Sequence, residues 1–205
     1  IHFHFSKVIV EFFNWILDYS PRKIYLSGTC FEYESVQGEA RIYDRLLGRN
    51  NYAKAKVIAF KGFLKAFQSN TRNNTSVLYQ RIWYLYGREN SPRSLLAKID
   101  NLSQLSKRNN EVQTIDLESS GEQYLDYIHI DNVIAEIKRF LEEESPNKSF
   151  AISNGCSGKP VRLKEFINVY CANNEINGVR VNWSLSEDLK SKKFIQSVDK
   201  KIKYV

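Results

Sequence analysis

No run of apolar residues in this chain approaches the roughly 18 needed to cross a bilayer, and no secretory leader opens it. The expectation is a cytoplasmic protein with no membrane partner. Cysteine is scarce. Cys30, Cys156 and Cys171 are odd in number and lack CxxC spacing, which argues against a disulfide framework and for reduced thiols. Methionine is absent, and the chain opens on Ile1. Of nine glycines, only Gly155 and Gly158 fall within four residues of each other, and they read as an ordinary loop. Charge of one sign is not concentrated either. The net charge is +7, but the basic residues are scattered among acidic ones, and only 190–203 forms a basic cluster, read as a solvated tail. No nucleic-acid partner is expected.

What remains is the composition of a soluble globular protein. With 42% hydrophobic and 26% charged residues, the 205-residue chain can bury a sizeable core. Ser6 stands where an N-cap would open a helix over 7–19. That helix has one thin polar stripe (Lys7, Glu11, Asn14, Asp18) and is otherwise apolar, so burial on two sides is expected. Pro21 ends it, and a short strand over 23–26 follows. Residues 34–48 have no clean period and read as an active-site loop. A helix over 51–68 places Ala53, Val57, Phe60, Leu64 and Phe67 on one face, and Gly62 within it suggests a close helix contact. Strands are expected over 76–82, 111–117, 127–130, 149–152 and 179–183. Helices are expected from Pro92 to about Leu105, from an Asp131 cap to Glu144, and over 162–172. Strands alternating with helices argue an α/β sheet.

Two stretches carry chemistry. Tyr52 and Lys56, four residues apart on a helix, project from one face, and an ammonium beside a phenol favours the phenolate. Upstream, 23–33 (KIYLSGTCFEY) is a strand running into a small polar turn, so the Thr29 hydroxyl stands at a strand's carboxyl end, where open α/β sheets bind ligands.

This arrangement resembles the extended short-chain dehydrogenase/reductase family, the NAD(P)-dependent nucleotide-sugar epimerases and dehydratases. There a strand-end Ser or Thr stands four residues before a Tyr, as Thr29 stands before Tyr33, and a Tyr-x-x-x-Lys helix follows at a similar gap. Residues 81–87 (RIWYLYG) resemble the family's Arg-x-Phe-Asn-x-Tyr-Gly, and 126–131 (DYIHID) its Asp-Tyr-Ile-His-Val-Asp. The resemblance implies a doubly wound, Rossmann-like parallel sheet, here its late strands only. Residues 1–86 would be the carboxyl-terminal part of the NAD(P)-binding domain. Residues 87–205 would be mainly a small α/β substrate lobe, with some segments returning to the first domain. The family's glycine-rich dinucleotide turn is missing, so the chain is expected to start inside the fold, after the first nucleotide-binding half.

By the same resemblance Tyr52 is the acid/base and Lys56 lowers its pKa and holds the nicotinamide ribose. Thr29 holds the sugar oxygen, with Tyr84 and Arg88 as further substrate contacts. The cofactor is NAD or NADP, and the substrate a nucleotide-diphosphate sugar. The dehydratases' Asp-Glu pair after Thr29 is replaced by Cys30 and Phe31, leaving 4-epimerisation or reduction of a 4-keto sugar. Cys30 reads as a small packed residue. Two positions depart from the pattern: Tyr84 stands for the usual Asn, and Leu125 for the arginine that contacts the diphosphate. His129, far in sequence from His2 and His4, reads as a hydrogen-bonded structural histidine, and no metal is expected. A homodimer through helices 7–19 and 51–68 is expected. The rival reading is a non-catalytic remnant acting as a dimerisation or binding module.

Overall fold

The computed structural model describes residues 1–34, 39–72, 74–87, 90–144, 148–184 and 203–204. In chain order they form α1 (His2–Leu17), β1 (Lys23–Thr29), a single 3-10 turn (Cys30–Glu32), α2 (Asn51–Ser69), β2 (Ser76–Ile82), β3 (Tyr84–Tyr86), α3 (Leu95–Asn109) and β4 (Gln113–Leu117). There follow β5 (Tyr124–Leu125), β6 (Tyr127–His129), α4 (Ile130–Glu142), β7 (Ser149–Gly155), β8 (Val161–Arg162), α5 (Leu163–Asn173), β9 (Val179–Trp183) and β10 (Lys203–Tyr204).

The main sheet has the order β1-β2-β7-β10, parallel except for β10. β2 and β7 are buried along almost their whole length, as apolar strands between two covered faces must be. One face is covered by α1 and α2, whose Phe13, Leu17, Phe60, Phe63 and Phe67 enclose Val77, Tyr79 and Phe150. The pleat sends Gln80 to the other face, where it bonds Glu136 of α4. The Lys23 ammonium reaches the Phe140 and Glu143 carbonyls, a cation on the negative end of α4. Register aligns the strand ends: Thr29 pairs with Ile82, and Ile82 with Gly155. All three strands therefore deliver their carboxyl ends to one edge.

A second, smaller core lies under α3 and α5, formed by Leu96, Ile99, Leu125, Leu163 and Ile167. The strand pairs β3-β6, β4-β9 and β5-β8 frame it. Within it the Tyr127 and Phe166 rings stack with centroids 3.5 Å apart. β7 comes from this later part of the chain but belongs to the main sheet.

Three expected helix starts are corrected. α1 begins at His2, so Ser6 is not its cap; buried inside the first turns, its hydroxyl donates to the Ala55 carbonyl of α2 at 2.8 Å. Pro92 does not open α3, because Ser94 caps it by accepting from the Ala97 amide at 3.2 Å. For α4 the cap is His129, whose Nδ1 accepts from the Asp131 amide at 3.2 Å. Gly62 makes its close contact inside the chain: a Cβ there would meet Val10 at 2.7 Å. Only one apolar side of α1 is covered, and Phe5, Phe12 and Trp15 on the other stay about half exposed. Residues 190–202 of the basic cluster lie outside the described residues.

Candidate active site

Thr29 ends β1 with extended backbone (φ −145°) and caps the 3-10 turn that follows. Its hydroxyl accepts from the Phe31 amide at 3.4 Å, while its own amide donates to Glu32 Oε1 at 2.8 Å. This reciprocal arrangement is a capping box, and it sets the direction of the Thr29 side chain. The Glu32 backbone also holds the loop leading to α2, since its carbonyl accepts from the Leu47 and Gly48 amides at 3.1 and 3.0 Å. Asn50 then caps α2 by accepting from the Ala53 amide at 2.9 Å. One residue into the helix stands Tyr52, and one turn further Lys56.

The structure brings these three together. Burial pushes the Tyr52 phenol above its ordinary pKa, the Glu32 charge and then the neighbouring Cys30 thiol act in the same sense, and the Thr29 hydroxyl pulls it back down. The expected depression of Tyr52 is therefore not what this arrangement produces. Lys56 is turned toward β1 and donates to the Ser27 carbonyl at 3.1 Å. Burial lowers its pKa, and the Glu32 charge opposes that. The Tyr52 ring meets His2 edge-on, with centroids 5.7 Å apart. Beside them a cavity of about 430 Å³ lies between α1, α2 and β1, lined by Phe5, Ile9, Leu26, Ser27, Tyr52 and Lys56 among others.

Beneath the site lies a group that sequence reasoning passed over. Glu32 is fully buried; its carboxylate accepts from Arg81 Nε at 2.8 Å and from the Tyr79 phenol at 2.7 Å. Gly28 makes room for it, because a Cβ there would stand 2.6 Å from both Glu32 Oε1 and the Tyr79 hydroxyl. The available signal was the Thr-x-x-Glu spacing of a capping box.

The other expected contacts fare differently. Tyr84 is half buried, its ring edge-on to Phe31 at 5.9 Å and near Tyr127 at 5.8 Å. It lines a second cavity of about 860 Å³ together with Trp83, Tyr86, Asn90 and Tyr127. Arg88 lies outside the described residues. Leu125 is packed in the second core, so that position offers no cation to a ligand. Arg49, unremarked in the sequence, is exposed, and its pKa responds first to partial burial and then to Tyr84 and Cys30. A positive charge thus stands between the strand-end turn and Tyr84. Cys30 is packed with Tyr33, Ala40, Trp83 and Cys156, and burial pushes its thiol up to about 12. Among the described residues no group of three or more His, Cys, Asp or Glu could hold a metal ion, and no helix is long and apolar enough to cross a membrane.

No protein-family model and no curated protein matches the sequence. Solved structures do match the fold. UDP-glucuronic acid 4-epimerase from Bacillus cereus, in complex with UDP-glucuronic acid and NAD, superposes with a TM-score of 0.69 at 14% identity over 96% of this chain. The chain has the fold of the nucleotide-sugar epimerases and dehydratases. DesIV, a dTDP-glucose 4,6-dehydratase from Streptomyces venezuelae with NAD and TYD bound, gives 0.68 at 16% identity over 97% of the chain. MoeE5 in complex with UDP-glucuronic acid and NAD gives 0.66 at 15% over 92%. The chain spans between 57% and 64% of the length of these three structures.

Proposed function

We propose that this chain is the catalytic part of an NAD(P)-dependent nucleotide-sugar 4-epimerase or 4-ketoreductase. The observation that carries the reading is the meeting of Thr29, Tyr52 and Lys56 at the carboxyl edge of a parallel sheet, beside a cavity between α1, α2 and β1. The residues fit a dinucleotide's nicotinamide end. Tyr52 and Lys56 would hold the ribose, and Ser27 and Leu26 wall the same cavity. The nicotinamide, when bound, takes up and returns a hydride.

The chain's own groups handle the proton. Tyr52 would accept or give the proton of the sugar hydroxyl, and Thr29 would hold that oxygen within reach of the phenol. A phenol raised by burial and by Glu32 keeps its proton at neutral pH, which suits donation to a carbonyl and hence the reductive direction. The positive charge of a bound nicotinamide would favour the phenolate and so the opposite step. With Cys30 buried and no carboxylate at position 31, chemistry at a neighbouring carbon has no base. Tyr84 and Arg49 flank the place where the sugar and its diphosphate would lie, and Arg88 remains a proposed contact.

Uncovered Phe5, Phe12 and Trp15 on α1 support a homodimer through α1 and α2. A face of this kind, left in water, favours association. Sedimentation of the intact protein should give a dimer at micromolar concentration; a monomer there would refute it. For the reaction, NAD and NADP should each be tried with UDP-glucose, UDP-glucuronic acid, UDP-N-acetylglucosamine and dTDP-glucose. Epimer formation or 4-keto reduction that disappears in Tyr52→Phe supports the assignment, and turnover that survives the substitution excludes it.

A further inference from the structure

Below the proposed acid/base groups sits a carboxylate that their chemistry does not use. Glu32 has no exposed surface, and it occupies a turn in which each of its bonds leads to a different part of the site. Oε1 accepts from the Thr29 amide at the end of β1 and from the Tyr79 phenol of β2, at 2.8 and 2.7 Å. Oε2 accepts from Arg81 Nε at 2.8 Å. Its carbonyl holds the Leu47 and Gly48 amides, fixing the loop from which α2 and Tyr52 start. One residue thus ties the strand end that carries Thr29 to the helix start that carries Tyr52.

We propose that the Glu32 side chain is a positioning group for the acid/base site, setting the Thr29 hydroxyl relative to the Tyr52 phenol through its capping box and its bonds to Tyr79 and Arg81. The inference rests on the assignment of Tyr52 as the acid/base, and deepens it. A buried ion pair is seldom the cheapest way to stabilise a core, because desolvation offsets the attraction, and an apolar pair of similar volume serves as well. A carboxylate here does what an apolar side chain cannot: it accepts the Thr29 amide and so sets the backbone at that residue. It also brings a fixed negative charge close to the phenol. The charged or titratable groups facing it are Arg81 and Tyr79 of β2, Tyr52 and Lys56 of α2, and Cys30 and Tyr33 beside it on its own turn. Glu32 raises the Tyr52 pKa, second only to burial.

The test uses the intact protein with tyrosine labelled at the ring carbon bearing the hydroxyl, the Tyr52 signal being assigned by its loss in Tyr52→Phe. Glu32→Gln keeps the side-chain shape and removes the charge. In it the Tyr52 phenol should titrate at lower pH than in the parent. Because the Gln Oε1 can still accept from the Thr29 amide, turnover with UDP-glucuronic acid and NAD, or with whichever of the four sugars named above reacts, should stay within about tenfold of the parent in kcat. KM should change by no more than about threefold, since uniform binding is untouched. Because Glu32→Gln leaves Arg81 buried without its counter-charge, Glu32→Leu/Arg81→Met is made alongside it. That pair removes the acceptor of the Thr29 amide, so it should fold, lose about 10²-fold in kcat as the cost of a misplaced reacting group, and show the same downward shift of Tyr52. An unmoved Tyr52 titration in either folded variant, or wild-type kcat in the folded Glu32→Leu/Arg81→Met variant, overturns the proposal and leaves Glu32 a structural residue only. If none of the sugars reacts, the reading of the reaction fails, while the titration of Tyr52 still decides the placement of Glu32.

Discussion

Arg81 and Glu32 meet at 2.8 Å with side chains 1% and 0% exposed, 49 residues apart in sequence and on different elements. The guanidinium is also packed between aromatic faces, 4.6 Å from the Phe60 ring centre and 5.0 Å from that of Tyr33. Burial works against the arginine's charge, yet Tyr33 and Glu32 more than restore it, so its pKa ends above the ordinary value. The pair closes the floor of the site.

Removing one member should be far worse than removing both. Arg81→Met leaves a buried carboxylate without its cation and should cost about 3–5 kcal/mol in urea unfolding. Adding Glu32→Leu should recover most of that loss. Equal stability of the single and double variants would contradict the burial of the pair.

Tyr52→Phe should lower kcat by about 10² to 10⁴, the usual contribution of a positioned proton donor or acceptor, with cofactor affinity nearly unchanged. Lys56→Ala should damage both, because in the proposed reading its ammonium holds the ribose beside the phenol. Steady-state kinetics with parallel NAD titrations separate the two patterns.

Alkaline stability should begin to fall with Cys30. Its thiol pKa is raised from 9.0 to about 12 by burial, so the folded state holds a proton that the unfolded chain releases. The stabilising contribution is complete below pH 9 and is lost as pH rises toward about 12. Between pH 9 and 10, before buried tyrosines such as Tyr25 add to the loss, Cys30→Ala should flatten the decline in unfolding free energy. An unchanged slope there would mean that the thiol is accessible in the folded protein.

Gly62 should resist even one methyl group. A Cβ would stand 2.7 and 2.8 Å from the two Val10 methyls, and valine is stiff at χ1. Gly62→Ala gains about 1 kcal/mol of helix propensity but overpacks the α1–α2 contact at a cost of about 1–3 kcal/mol. Net destabilisation is expected, relieved in Gly62→Ala/Val10→Ala. A double-mutant cycle by thermal unfolding reads the coupling; strict additivity would deny the contact.

These 205 residues alone should not bind NADH or NADPH at micromolar concentrations in calorimetric titration. In the proposed reading they would meet only the nicotinamide end, and no glycine-rich turn among them can approach a pyrophosphate. Micromolar binding would show that the anchoring contacts come from elsewhere in the chain.

The spacing of Tyr52 and Lys56 and the Thr29 turn were legible in the sequence because they are local: a helix repeats every 3.6 residues whatever surrounds it. The strands 76–82 and 179–183 were legible for a similar reason, since β-branched and aromatic runs suit a pleated surface. Helix starts at Ser6, Pro92 and Asp131 were misread because a cap is chosen by which side chain reaches the free amides, and His129 and Ser94 reach them in three dimensions. Ser6 itself, polar and placed like a cap, is instead spent on the Ala55 carbonyl of a neighbouring helix. Tertiary structure alone decided that Arg81, expected only as part of a strand motif, pairs with Glu32, and that Leu125 is core. It also decided the direction of the Tyr52 pKa. Spacing places an ammonium near a phenol, but the sign of the shift depends on burial and on a carboxylate twenty residues away in sequence, quantities that exist only once the sheet, the turn and α2 have closed on one another.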